Sequence, residues 1–116
     1  MWYGTLSNSK ATVHWLTSRG RDGRFQTEFL NCTEGKRPRK WIDIGKWSIE
    51  GKQFIVTTVG VFEDGKFASP GGPELRSQVD KHTVIEMAQD LFRYEDPAKV
   101  TLSERRVAKK EDLACR

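Results

Sequence analysis

The chain is poor in cysteine and histidine and has no long apolar run, and each shortage removes a class of protein. Two cysteines, Cys32 and Cys115, and two histidines, His14 and His82, offer neither C-x-x-C nor H-x-x-x-H spacing, so no metal site is expected. The two thiols are expected to be unpaired, as in a reducing compartment, with a bridge from the C-terminal tail to the barrel as the minor alternative. No apolar run approaches the roughly 18 residues of a membrane-spanning helix. The opening M-W-Y-G-T-L-S lacks the basic, apolar and small-residue sections of a secretory signal. A cytoplasmic location is slightly favoured on the chain as given; a Met1 replacing a removed signal would instead mean export.

Other absences bear on chemistry. Ser69 has no G-x-S-x-G context, and no nucleophile stands in a recognisable relation to a base, so no catalytic residue is assigned and no cofactor is expected. There is no glycine-rich phosphate cradle and no paired aromatic motif of an RNA-binding sheet. Twenty Lys and Arg against sixteen Asp and Glu give a net charge of +4, too slight for a dedicated nucleic-acid binder. The densest basic run, Lys36 to Lys40, and the cluster Arg19, Arg21 and Arg24 are read as solvated loops; placed together at one end of the molecule they would attract phosphate or carboxylate.

What the chain does have is alternation. In Trp41 to Val61, Ile42 and Ile44 face opposite to Trp41 and Trp47, and beyond the Glu50-Gly51 turn Phe54, Val56 and Thr58 alternate with Ile55, Thr57 and Val59. Both faces of this hairpin are apolar, as suits a barrel wall. Similar runs recur along the chain: Trp2 to Leu6; Ala11 to Arg19; Arg24 to Cys32, with Phe25, Thr27 and Phe29 inside and Gln26, Glu28 and Leu30 outside; Gln78 to Ala88; Leu91 to Tyr94; and Val100 to Val107. Turn residues punctuate them at Asp22-Gly23, Asp64-Gly65, Gln89-Asp90 and Asp96-Pro97. Thr33 to Lys40 reads as a loop because Pro38 forbids a central strand. S-P-G-G-P-E, from Ser69 to Glu74, reads as a mobile flap over an open barrel end. Residues 108–116 form a charged tail, helical or frayed.

At 116 residues the chain is one domain, residues 1–116, with its core drawn largely from four Trp, six Phe and two Tyr. The fold class expected is all-β: an antiparallel up-and-down barrel, or half-barrel, of about eight short strands.

The opening W-Y-G, the H-W-L-T-S-R-G-R-D-G-R-F hairpin, the G-K-W-S-I-E-G-K-Q-F segment and the closing D-L-F-R-Y and E-R-R-V together resemble lipocalin-like (calycin-type) small bacterial β-barrel proteins of unknown function. The resemblance spans nearly the whole chain. It implies that Trp2 packs against Arg106, or its neighbour Arg105, to close the barrel's base, although the glycine of the family's G-x-W motif would fall before Met1. It also implies a carrier. Trp15, Phe25, Phe29, Trp47, Phe54 and Val56 stand at inward positions of neighbouring strands, where they either fill a core or line a pocket.

The expected function is therefore non-catalytic binding of a small apolar or amphipathic ligand. The alternative is a filled structural or protein-interaction barrel, with a partly open form pairing edge to edge as a homodimer. Asp80, His82 and Glu86 fall on one strand face. Together with His14 they are expected to face water or line the barrel mouth.

Overall fold

The computed structural model describes residues 1–69, 77–108 and 113–115. These residues form nine strands, in chain order β1 (Trp2–Ser7), β2 (Ala11–Arg19), β3 (Arg24–Thr33), β4 (Arg39–Glu50), β5 (Gln53–Glu63), β6 (Lys66–Ala68), β7 (Gln78–Met87), β8 (Leu91–Glu95) and β9 (Thr101–Arg106). The sheet order β4-β3-β2-β1-β9-β8-β7-β5 closes on itself because β5 also pairs with β4, giving an eight-stranded antiparallel ring with β6 as an appendage of β5. The half-barrel alternative is thereby corrected. Closure leaves the ring itself without an open edge among the described residues, while β6 stands at the end of the sheet order, paired with β5.

Alternation builds the ring, and bulges bend it. Ile44 pairs with Gly60 while Gly45 pairs with Thr58, leaving Val59 without a partner; Val84 pairs with Tyr94 while Glu86 pairs with Arg93, leaving Ile85 over. Each extra residue sharpens the local twist and reverses which side chains point inward. At the Asp64-Gly65 turn the chain reverses with φ of 53° and 75°, the left-handed region that Asp and Gly tolerate. The loop after β3 is shorter than its composition suggests, since Arg39 and Lys40 already belong to β4, directly after Pro38.

The buried apolar cluster lies toward one end of the barrel. Phe54, Phe92 and Tyr94 form the buried cluster, with ring centroids 5.0–5.1 Å apart, and Trp2, Trp47, Ile49, Val84 and Leu102 pack against it. At that end Trp2 lies opposite Arg106 in the β1–β9 register, and the Arg106 guanidinium sits 5.5 Å from the Trp2 ring centroid. Arg105 points to the other face and covers Tyr3 instead, at 4.8 Å.

The outer face is less polar than expected. Leu16 and Leu30 occupy outward register positions yet are 4% and 2% exposed. Cys32 and Cys115 form a disulfide with Cα atoms 5.7 Å apart, which corrects the expectation of free thiols. Register explains the miss: Cys32 sits one residue before the end of β3 on the barrel's outside, where the C-terminal segment returns and sets Leu113 beside Glu28, Trp41 and Ile42. The expected flap falls almost wholly on residues 70–76, outside the described part of the chain, as do residues 109–112 and 116 of the tail.

Candidate functional site

Beside the buried cluster the barrel encloses a cavity of about 310 Å3. Trp15, Phe25, Phe29, Trp47, Phe54 and Val56, all named from the sequence, lie in its wall. They converge because β2, β3, β4 and β5 are sequential neighbours in register, so that inward positions stack side by side: Trp15 opposite Phe29, and Trp47 opposite Val56.

Its floor is a charged network that the sequence did not announce. Glu104 is 1% exposed: its Oε2 accepts from Trp15 Nε1–H at 2.8 Å, from the Tyr94 hydroxyl at 2.9 Å and from Arg19 Nη2 at 3.1 Å, while Oε1 lies 2.8 Å from Arg19 Nη1 as an ion pair and has no hydrogen bond among the described residues. A buried carboxylate needs such partners, because an unpaired charge in the interior costs several kcal/mol, on the order of 3–5 when one partner is removed. Arg19 is further held by Phe54 and Phe92, 4.8 and 5.3 Å from its guanidinium carbon. Burial, and next the Glu104 charge, push the Tyr94 hydroxyl well above its ordinary value.

Arg19 was expected in a solvated loop; it points inward. The two basic loops moreover sit at opposite ends of the barrel, because β3 runs its whole length between them, so they form no joint anion site. Arg39 is neutralised by Glu63, with its Nη2 donating to Oε1 at 2.8 Å.

The cavity's remaining polar wall is acidic. Asp43 of β4 and Asp80 of β7 both line it, with His82 beside them and the hydroxyls of Thr17, Thr27 and Thr58 below. Thr17 and Thr27 bond each other at 2.8 Å and are thereby satisfied. Asp43 Oδ1 and His82 Nδ1 are buried without a hydrogen-bond partner among the described residues. Desolvation, and next the Asp80 charge, raise the Asp43 carboxyl to about 6. Burial lowers His82 below its ordinary value, against the pull of Asp80, Asp96 and Glu104, so the imidazole in this wall is neutral near pH 7.

The strand face proposed for Asp80, His82 and Glu86 is broken at Ile85. Asp80 and His82 turn inward, but Glu86 emerges after the bulge and pairs with Arg93 at 3.6 Å on the surface. His14 also faces outward, its Nδ1 2.7 Å from the Tyr3 hydroxyl. Asp43 was missed because it lies between two outward isoleucines in W-I-D-I-G and reads as an interruption of an apolar strand. Among the described residues no cluster of His, Cys, Asp and Glu has a metal-binding arrangement.

Fold and site together define a closed antiparallel barrel with an apolar, acid-walled interior cavity. Two solved structures are similar to it. One is the tryptamine complex of the amine binding protein of Rhodnius prolixus, at 17% identity and a TM-score of 0.47, aligned over 96% of this chain and 64% of that one. The other is a biogenic amine-binding protein as its selenomethionine derivative, at 16% identity and a TM-score of 0.46, over 90% and 59%. The chain thus spans less than two thirds of either neighbour's length. No family model matches it, and no curated protein does.

Proposed function

We propose that this barrel binds, without chemical conversion, a small amphipathic molecule: an apolar body among Trp15, Phe25, Phe29, Trp47, Phe54 and Val56, and a protonated amino group at Asp43 and Asp80. The observation that carries this reading is Asp43 Oδ1, buried in the cavity wall with no donor to satisfy it among the described residues. Buried carboxylate oxygens are ordinarily bonded, so one left open toward a cavity is a position for a donor brought from outside. The cation already present, Arg19, cannot serve, since both its Nη groups are taken by Glu104.

A cavity of about 310 Å3 suits a single-ring ligand, within the ~300–1,000 Å3 range of small-molecule sites. Affinity comes from apolar area removed from water, about 25 cal/mol per Å2, and discrimination from the charge at the acidic wall. Among the described residues His82 bonds no hydroxyl, and Thr17 and Thr27 are bonded to each other, which supports binding over conversion.

The test compares 2-phenylethylamine with its neutral analogue 2-phenylethanol by calorimetry at pH 7.5, with 15N NMR of the Trp15 indole N–H as the site reporter. Saturable amine binding that shifts Trp15 and weakens at least tenfold in Asp43→Asn is expected. Equal affinity for the alcohol would defeat the amine assignment. No saturable binding of either probe would favour the alternative, a structural or interaction barrel.

A further inference from the structure

A second pocket, of about 510 Å3, opens at the other end of the barrel, beside the turns that join β2 to β3 and β7 to β8. Arg19, Trp47 and Phe54 are its common wall with the acidic cavity; Trp2, Ile49, Met87 and Phe92 complete its apolar lining, and Arg21 and Arg106 its rim. We propose that this pocket is a separate binding site for a small organic anion, a carboxylate carried on a flat apolar body.

The charge arrangement carries the argument. Among the described residues three guanidiniums line the pocket and no carboxylate does. Arg19 is neutralised from behind by Glu104, which leaves Arg21 and Arg106. Asp22, the acidic residue next to Arg21 in the chain, is turned away: it caps the backbone N–H of Arg24 at 3.1 Å and lies 3.7 Å from that residue's Nε. Arg106 is held over the Trp2 ring, 5.5 Å from its centroid, and the described residues supply no acidic partner to its head group. A guanidinium lying on an aromatic ring keeps its edge N–H groups available, and that fork matches a carboxylate's two oxygens.

The walls select the rest of the ligand. Trp2, Trp47 and Phe92 offer faces and edges to a planar ring. Met87 is 64% exposed on the rim, where a flexible thioether side chain can fold over whatever occupies the pocket. The same carboxylate would be repelled from the other cavity by Asp43 and Asp80. The two ends of this barrel therefore sort molecules by sign of charge.

The test titrates 1-naphthaleneacetate into 15N-labelled protein at pH 7.5, with 1-naphthalenemethanol as the neutral control. The Trp2 indole N–H is expected to shift saturably while that of Trp15 stays in place. Arg21→Gln should weaken binding about fivefold or more, and Arg21→Gln combined with Met87→Glu should abolish it. Both side chains are exposed, and an unchanged near-ultraviolet circular dichroism spectrum of the apo-variant checks that the fold is intact. No saturable shift at Trp2, equal affinity for the alcohol, or full affinity in the double variant would each overturn the proposal. Amine binding at Asp43 is read at Trp15, so either site can fail without the other.

Discussion

Arg19 and Glu104 lie 85 residues apart in the chain and meet inside the barrel through contacts of 2.8 and 3.1 Å, with Glu104 1% exposed. The pair ties the first hairpin to the last strand, and its Arg19 is part of the wall shared by the two interior spaces. Replacing Glu104 by Ala strands the Arg19 charge and leaves the Trp15 N–H and Tyr94 O–H without an acceptor. Urea unfolding should show a loss of about 3–5 kcal/mol. Arg19→Met combined with Glu104→Leu should cost clearly less than Glu104→Ala alone, because no buried charge is then left unpaired.

The Asp43 carboxyl, raised to about 6, ties ligand affinity to pH. Amine binding needs its ionised form, so affinity should fall as pH drops from 7.5 to 5, and Asp43→Asn should flatten that profile by removing the group that titrates. Calorimetric titrations across this range decide the matter. A profile unchanged in the variant would locate the dependence elsewhere.

The same group has a stability consequence of fixed sign. Because its pKa is higher folded than unfolded, the folded state holds the proton more tightly, and Asp43 weakens the fold as pH rises from about 4 through about 6. Asp43→Asn should therefore stabilise the apo-protein at pH 7.5, by roughly 1 kcal/mol since the group is partly solvated, with no gain at pH 4. Denaturant midpoints at the two pH values test this.

Reduction of Cys32–Cys115 releases a sequence separation of 83 residues. A loop of that size has a chain-entropy effect of about 4–5 kcal/mol, of which about 2–4 is commonly realised. The Cys32→Ser variant should lose stability on that scale while still binding 2-phenylethylamine, since neither cysteine lines the cavity. Loss of binding in a folded variant would instead couple the tail to the site.

Gly4 is where β1 passes under the Trp15 indole, and a Cβ there would overlap the ring. Gly4→Ala should cost about 1–3 kcal/mol through overpacking. It should also shift the Trp15 N–H resonance, since the ring that bonds Glu104 must move.

The elements were legible because alternation and turn chemistry agree along the chain: Phe54, Val56 and Thr58 face inward, as their spacing requires, until the bulge at Val59. The bulges themselves were not legible. Neither Val59 nor Ile85 carries a local signal, yet each decides the facing of the residues after it, and so Glu86 was grouped with Asp80 and His82 when it lies outside. The aromatic wall could be read because five aromatic side chains, with Val56 beside them, stand out at inward positions. Glu104 could not, since in S-E-R-R-V a buried carboxylate and a solvated one are written identically; only its register position opposite Gly4 and Phe92 sets it apart. Cysteine pairing depends on where the tail returns, which no periodicity encodes. The pairing also removes the ground on which a reducing compartment was favoured.

The ring is shut by β1 lying against β9, with Trp2 opposite Arg106. Every other neighbouring pair in the ring joins strands closer in sequence, so this is the contact with the largest loop-closure entropy, which disfavours its early formation. Until it forms, β1 and β9 are both bare edges, able to template another chain. The barrel's vulnerability to misassembly is thus concentrated in time, in the interval before the ends meet, and folding in dilute solution should outpace aggregation where folding in concentrated solution does not.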